Sequence, residues 1–301
     1  MRETDSLRRF LFEGAPLRGH WVHLEDAWAQ ARAHQSHPPQ VMSLLGQALA
    51  ASALLAACLK FRGTLTLQVR GQGDLPLLIV QCTHDRQIRG LAQLRDGVVV
   101  DAASDLPDLV GHGTLSVVLD NHDGGEPWQG IVPLAGASLA QCLEAYFETS
   151  EQLPTRLVLA ADDWRAGGLL LQKLPQPARD GEGATGHALA LWDEASLLLD
   201  TLHGAELLNT APQTLLQRLF ATHDLRLFDG EPVRFACRCS PERVANMLLA
   251  QGEDEANDIL AEQGCIAVNC GFCNRAFRYD AIDVARLFAA APAPDSPGSV
   301  N

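Results

Sequence analysis

Cys237 and Cys239 form a Cys-x-Cys pair, and Cys270 and Cys273 a Cys-x-x-Cys pair further along the chain. Thiolate is a soft, charged donor, and zinc accepts four thiolates in a tetrahedron without a geometric preference of its own. The spacing therefore predicts one structural Zn2+ held by Cys237, Cys239, Cys270 and Cys273. The bland alternative is a set of buried, inert thiols, since free cysteine is often buried. Two tight pairs within one short segment favour the metal. Three other readings compete. Cys265-x4-Cys270-x2-Cys273 has the local spacing of a plant-type iron–sulfur site, with its fourth ligand drawn from the upstream pair. Cys270-Gly271-Phe272-Cys273 also reads as a thiol–disulfide oxidoreductase motif, but without the βαβ context that such a motif needs. A static zinc domain serving as an adaptor or nucleic-acid module is the last.

The charge balance weighs against nucleic acid. The chain has 301 residues and a formal net charge of -14, heavier on the cysteine side of residue 176. That field repels a phosphate backbone. Met1-Arg2-Glu3-Thr4-Asp5 leads into no apolar run and does not read as a signal peptide. Eight cysteines without an export signal point to a reducing compartment and a cytoplasmic protein. Val41 to Leu59 carries no charge and is long enough to span a bilayer. Its alanines, with Gly46, Gln47 and Ser52, read as a buried core helix, and no membrane partner is expected.

The elements that must position the cysteines follow from pattern. Phe10-Leu11-Phe12 and Trp21 to Leu24 suit strands, Glu25 to Gln35 a short helix, and Pro38-Pro39 opens the long apolar helix. Thr64 to Val69 alternates with period two; Leu77 to Val80, Ile88 to Leu94, Leu115 to Leu119 and Gln129 to Val132 also read as strands. A helix fits Ser138 to Thr149, and strands fit Thr155 to Ala160 and Gly168 to Leu174. The fold class is α+β: a large N-terminal mixed α/β domain over 1–176, a helical linker region over 177–230, a small four-cysteine zinc-binding domain over 231–290, and a disordered tail over 291–301. Residues 177–187 are rich in Gly, Pro and charge; the leucine-rich helices after them are too apolar to stand alone in water. In the cysteine domain Ser240 is the N-cap and Pro241 the first residue of one helix, Asp254 to Gln263 is a second and Ala281 to Ala290 a third.

Other chemistry is hard to find. Cys58, Cys82 and Cys142 fall in core elements and read as inert thiols. Ten histidines show no ligand spacing, and His223, just before the cysteine domain, is not expected at the metal. Gly71-x-Gly73 is a turn rather than a dinucleotide fingerprint. No nucleophile elbow, phosphate loop or carboxylate pair is present, so the chain does not read as an enzyme.

Beyond the four cysteines, Arg9-Phe10-Leu11-Phe12-Glu13, Leu59-Lys60-Phe61, Ser150-Glu151-Gln152-Leu153-Pro154-Thr155-Arg156 and Ala166-Gly167-Gly168-Leu169-Leu170-Leu171-Gln172 stand in one order. In these segments the chain resembles the redox-regulated holdase chaperones, the bacterial heat-shock proteins of about thirty-three kilodaltons. Cys265 is outside that family's four cysteines, and the tail lies beyond the likeness. The resemblance implies an ATP-independent chaperone, zinc-bound and inactive when reduced. It implies disulfides Cys237–Cys239 and Cys270–Cys273 on oxidation, with loss of zinc, unfolding of the cysteine domain and loosening of the helical linker. Unfolding client proteins are the implied partners, and a homodimer the implied oxidised state. A Cys-x-Cys disulfide is strained and so easily reduced again. Cys265 is expected to be a free thiol that can divert some Cys270 into a Cys265–Cys270 bridge.

Overall fold

The computed structural model describes residues 4–121, 124, 126–175 and 182–290, the side chains of 182–187 and 290 excepted. The expected tail over 291–301, the start of the Gly/Pro stretch at 176–181 and part of the loop at 122–125 lie outside the described residues. The chain divides into two compact units, Met1–Ala236 and Cys237–Asn301.

The first unit opens with β1 (Ser6–Phe12), β2 (Leu17–Leu24), α1 (Asp26–Arg32) and α2 (Pro39–Cys58). Next come β3 (Gly63–Gly71), β4 (Leu77–Thr83), β5 (Gln87–Gln93), α3 (Leu106–Val110), β6 (Gly113–Asn121) and β7 (Trp128–Pro133). Helix α4 (Leu139–Tyr146) runs into a π-helical turn at Phe147–Glu151, so the predicted helix to Thr149 changes its winding near its end. Strands β8 (Thr155–Ala161) and β9 (Ala166–Lys173) precede three helices, α5 (Glu182–Asp200), α6 (Gly204–Asn209) and α7 (Pro212–Leu219). The unit closes with short strands β10 (Leu225–Leu227), β11 (Glu231–Pro232) and β12 (Arg234–Phe235).

Two sheets result. One has the order β10-β1-β2-β9-β8, with β11 also paired to β1; the other runs β12-β5-β4-β3-β6-β7. Helix α2 packs between them, against β2, β8 and β9 on one side and β3, β4 and β5 on the other. This explains the charge-free run: 78% of its apolar window is buried inside the unit. Gly46 permits the close approach, since a Cβ there would sit 2.5 Å from the Ala161 methyl. The buried Ser52 hydroxyl donates to Leu49 O at 2.8 Å. The last turn of α2 has no basic residue, and strand β2 and the β4–β5 turn supply the cations instead. Arg86 Nη1 donates to Ala56 O at 3.1 Å and Arg18 Nη2 to Cys58 O at 3.3 Å, which suits the negative end of a helix.

Strand alternation divides the first sheet's side chains between two cores. Leu7, Val22, Leu24 and Leu170 join the α2 core. Phe10, Phe12, Trp21, Leu169 and Leu171 face the other way and pack with Leu191, Ala195, Leu199, Leu207, Leu215, Leu216 and Phe220. The leucine-rich helices thus have a partner, the outer face of the first sheet. Because both faces are covered, β9 is an almost unbroken buried run rather than an alternating one.

The second unit has α8 (Pro241–Gln251), α9 (Glu253–Gln263), β13 (Ile266–Asn269), β14 (Ala276–Tyr279) and α10 (Ala281–Ala290). All three expected helices are present; the β13–β14 hairpin carries little pattern in four-residue strands. Residues 231–235 pair with β1 and β5 of the first unit, so the second begins at Cys237. Its buried core cluster is small: Leu248, Ala256, Ile266 and Val284.

Candidate metal centre

The first cysteine pair is fixed by the start of α8. Ser240 is its N-cap, with the hydroxyl accepting from Arg243 N at 3.3 Å and Pro241 in the first turn. Ser240 itself is extended, at φ -144° and ψ 159°, and Cys237 and Cys239 lie directly before it. The second pair is the turn of the β13–β14 hairpin. Ladder pairing ends at Asn269↔Ala276. Beyond it Cys270 N donates to Arg275 O at 2.9 Å, and Asn274 N to Cys270 O at 2.7 Å. The turn closes through Asn274 at φ 52°, a left-handed conformation that asparagine tolerates better than most residues. Tyr279 ties the pieces together, its hydroxyl donating to Pro241 O at 3.0 Å. Asn274 and Tyr279 were not singled out by sequence; a tolerant residue directly after Cys273 is the signal that was available.

This framework brings the sulfurs of Cys237, Cys239, Cys270 and Cys273 within 4.8 Å of one another. Cys237 Sγ lies 3.6 Å from Cys270 Sγ, and Cys239 Sγ 3.4 Å from Cys273 Sγ. Four sulfurs around one ion at the usual zinc–sulfur distance form a tetrahedron with edges of about 3.8 Å. The donor set therefore fits a thiophilic ion, and the four residues can hold one. With protons in place of an ion, the thiols divide unequally. Burial works against the Cys237 thiolate, but the Cys239 backbone N–H and the three neighbouring thiols bring its pKa down to about 7. Burial, then Cys273, Cys237 and Cys270, push Cys239 up, and burial also raises Cys273. A cluster of four thiols thus shares its negative charge poorly, and a dication removes that conflict.

Cys265 is not in the cluster. It is half-buried between Gly264, the left-handed C-cap of α9, and the start of β13. Strand β13 separates it from Cys270, a span of roughly 16 Å at ordinary strand rise. The iron–sulfur set that needs both residues on one cluster is not assembled. His223 belongs to the first unit, where its ring lies 5.7 Å from that of Phe12 and its Nε2 is 3.4 Å from Glu194 Oε1. Cys82 and Cys142 are buried; burial pushes the Cys82 thiol up to about 12 and raises that of Cys142. Cys58 has a neighbour that the sequence did not indicate, His20 Nδ1 at 3.7 Å. Burial raises that thiol to about 12, and burial, then Arg18, Arg9 and Arg86, lower His20 to about 3. Both partners stay neutral, so this Cys–His contact lacks the thiolate a nucleophile requires.

Fold and site together define an α+β protein whose small second unit is built around four converging thiols. The profile of the Hsp33 protein family matches residues 5–280. The 33 kDa chaperonin of Methylobacillus flagellatus is 45% identical over 290 residues, 96% of each chain. That of Ectopseudomonas mendocina is 44% identical over 289 residues, again 96% of each. The crystal structure of the 33 kDa chaperonin of Thermotoga maritima, a heat shock protein 33 homologue, superposes with a TM-score of 0.80 at 22% identity, covering 94% of this chain and 98% of that one. The chain belongs to the Hsp33 family, and its family makes it a chaperone.

Proposed function

We propose that this chaperone is an ATP-independent holdase under redox control. Its three working parts are the core over 1–176, the helical region over 177–230 and a redox switch over 231–290. In the reduced protein Cys237, Cys239, Cys270 and Cys273 hold one Zn2+. When bound, the ion keeps the sulfurs deprotonated at neutral pH and cross-links the start of α8 to the β13–β14 turn. The single observation that carries the reading is the pairing of four converging thiols with so small a core: a unit with six buried apolar side chains among its described residues depends on its cross-link.

Oxidation uses the same sulfurs. Each pair of thiolates, with one peroxide and two protons, gives a disulfide and two waters. Two electrons leave the sulfurs and reduce the O–O bond. A disulfide is no longer a thiolate donor, so the ligand set is lost and with it the unit's main restraint. Following the family resemblance, the bridges are Cys237–Cys239 and Cys270–Cys273. The loosened region is α5–α7, which lies on Phe10, Phe12, Trp21, Leu169 and Leu171. Uncovering that face creates a large apolar surface for unfolding or oxidatively damaged proteins. The oxidised protein dimerises, and the switch works in the reducing cytoplasm.

Light scattering from a heat-unfolding client tests the switch. Oxidised protein should suppress aggregation at near-equal molar ratio, and reduced, zinc-loaded protein should not. Equal activity in both states rejects redox control. Zinc content and free thiols unchanged by peroxide with mild heat would favour a static metal domain.

Cys265 supplies an internal reporter. A disulfide needs Cα atoms closer than about 7 Å, less than half the roughly 16 Å that β13 puts between Cys265 and Cys270. A Cys265–Cys270 bridge should therefore be absent from peptide maps of the folded, reduced chain exposed briefly to oxidant. It should appear as a minor species once the hairpin has opened. Its early appearance, before the second unit loses hydrogen-exchange protection, would contradict this order.

A further inference from the structure

We propose that the cavity between the outer face of the first sheet and helices α6 and α7 binds a carboxylate carried on a small apolar body. The cavity has a volume of about 500 Å3 and lies wholly in the first unit, apart from the four-thiol centre. Such a volume suits a small organic molecule.

Its lining is rich in donors. Trp21 is 4% exposed, and its Nε1–H has no hydrogen-bond partner. An indole N–H can only donate, and a buried donor without an acceptor is unfavourable. Arg8 and Arg165 bring two guanidinium groups. Arg8 Nη1 donates to Phe228 O at 3.4 Å, and Arg165 Nη1 to Asn209 Oδ1, so both side chains are positioned. The first turn of α7 also lines the cavity. Its N-cap is Ala211, which offers no side-chain acceptor to the amides behind it. A helix start of this kind favours negative charge. The single acid in the lining, Glu25, has its Oε1 3.9 Å from Arg165 Nε.

The remainder of the lining selects the body of the ligand. Leu208 and Pro212 are buried apolar side chains on the helical wall. Opposite them the Trp21 ring stacks on His23, with centroids 5.8 Å apart and planes 9° from parallel. Burial lowers the His23 pKa, so at neutral pH this stack is uncharged. One anionic group among the donors and a flat or aliphatic body against these surfaces match both halves. Inorganic phosphate would satisfy only the first half. The carboxylate can belong to a free small acid or to the C-terminal end of a peptide, which share this chemistry. Because α6 and α7 form one wall, an occupant favours the arrangement in which these helices cover the sheet. That consequence rests on the holdase reading, whereas the binding does not.

The test uses the full reduced, zinc-loaded chain labelled with 15N at tryptophan. The Trp21 indole resonance, assigned with Trp21→Phe, is followed during titration with 3-phenylpropanoate and N-acetylphenylalanine. At least one should shift it saturably, the first marking a free acid and the second a chain end. The matching alcohol and amide should bind about tenfold more weakly, as expected when charged hydrogen bonds are lost. Arg8→Gln and Arg165→Gln should each weaken binding about fivefold to tenfold with unchanged circular dichroism. If one of them does not fold, the other and the neutral analogues decide. No saturable shift with either acid, or equal binding of the neutral analogues, overturns the site. No client or oxidant enters the measurement, so its failure leaves the holdase reading standing, and the reverse holds too.

Discussion

Chelating the proposed zinc from the reduced protein, or replacing Cys270 by serine, should unfold the second unit and leave the first intact. The reason is the scale of what remains. Among the described residues, Val244, Leu248, Ala256, Ile266, Phe277 and Val284 are the buried apolar side chains that three helices and one hairpin share, with a few partly buried ones packed on them. Structural zinc in small peptides contributes on the order of 10–16 kcal/mol of apparent binding free energy at neutral pH. A whole domain is stable by only about 5–15 kcal/mol, so this loss is decisive. Hydrogen exchange reads the result by region. Amides of α8, α9, β13, β14 and α10 should lose protection, while those of α2 and β9 keep it. Persistent protection across β13 and β14 in metal-free protein would mean that the unit folds without its cross-link, and the proposed switch would have no lever.

The second large effect is expected at the helical cover. Leu215 on α7 is fully buried and belongs to the core between α5–α7 and the first sheet. Leu215→Ala should cost about 2–5 kcal/mol, the range for truncating a buried leucine. The cost falls on an eight-residue helix, too short to persist in water without its packing. Reduced L215A should therefore hold clients in the light-scattering assay without oxidant, its zinc still bound. Arg218→Ala on the same helix is the control. Arg218 is exposed and lies 3.6 Å from Glu206, an ion pair worth about 0–1 kcal/mol at a surface. It should behave as the parent does. If L215A is destabilised yet inactive when reduced, clients are held by a different surface.

These two experiments separate levels that the sequence shows unequally. The four converging cysteines could be picked out from type and spacing, because two short-range pairs already bring most of the set together. The start of α8 was equally plain, since Ser240 and Pro241 act through local backbone geometry. The long α2 helix was legible as buried, but its place between two sheets was not: an apolar run records that water is excluded and not what excludes it. The strands β10, β11 and β12 are two or three residues long, too short for alternation to register, and their pairing depends on β1 and β5 far back in the chain.

Cys265 shows where the division falls. By spacing alone it belongs with Cys270 and Cys273, and an iron–sulfur set could be written with it. The β13 strand puts it one strand length away, so tertiary structure chose four sulfurs out of five. The leucines of α5–α7 likewise announced a buried face, while only the packing showed it to be the outer side of the first sheet. The cavity beside Trp21 needed the same packing, because its donors come from two strands, a hairpin turn and a helix start. Residue chemistry and short-range geometry are written locally along the chain. Which distant surfaces meet is decided by burial of apolar area, which has no direction along the sequence.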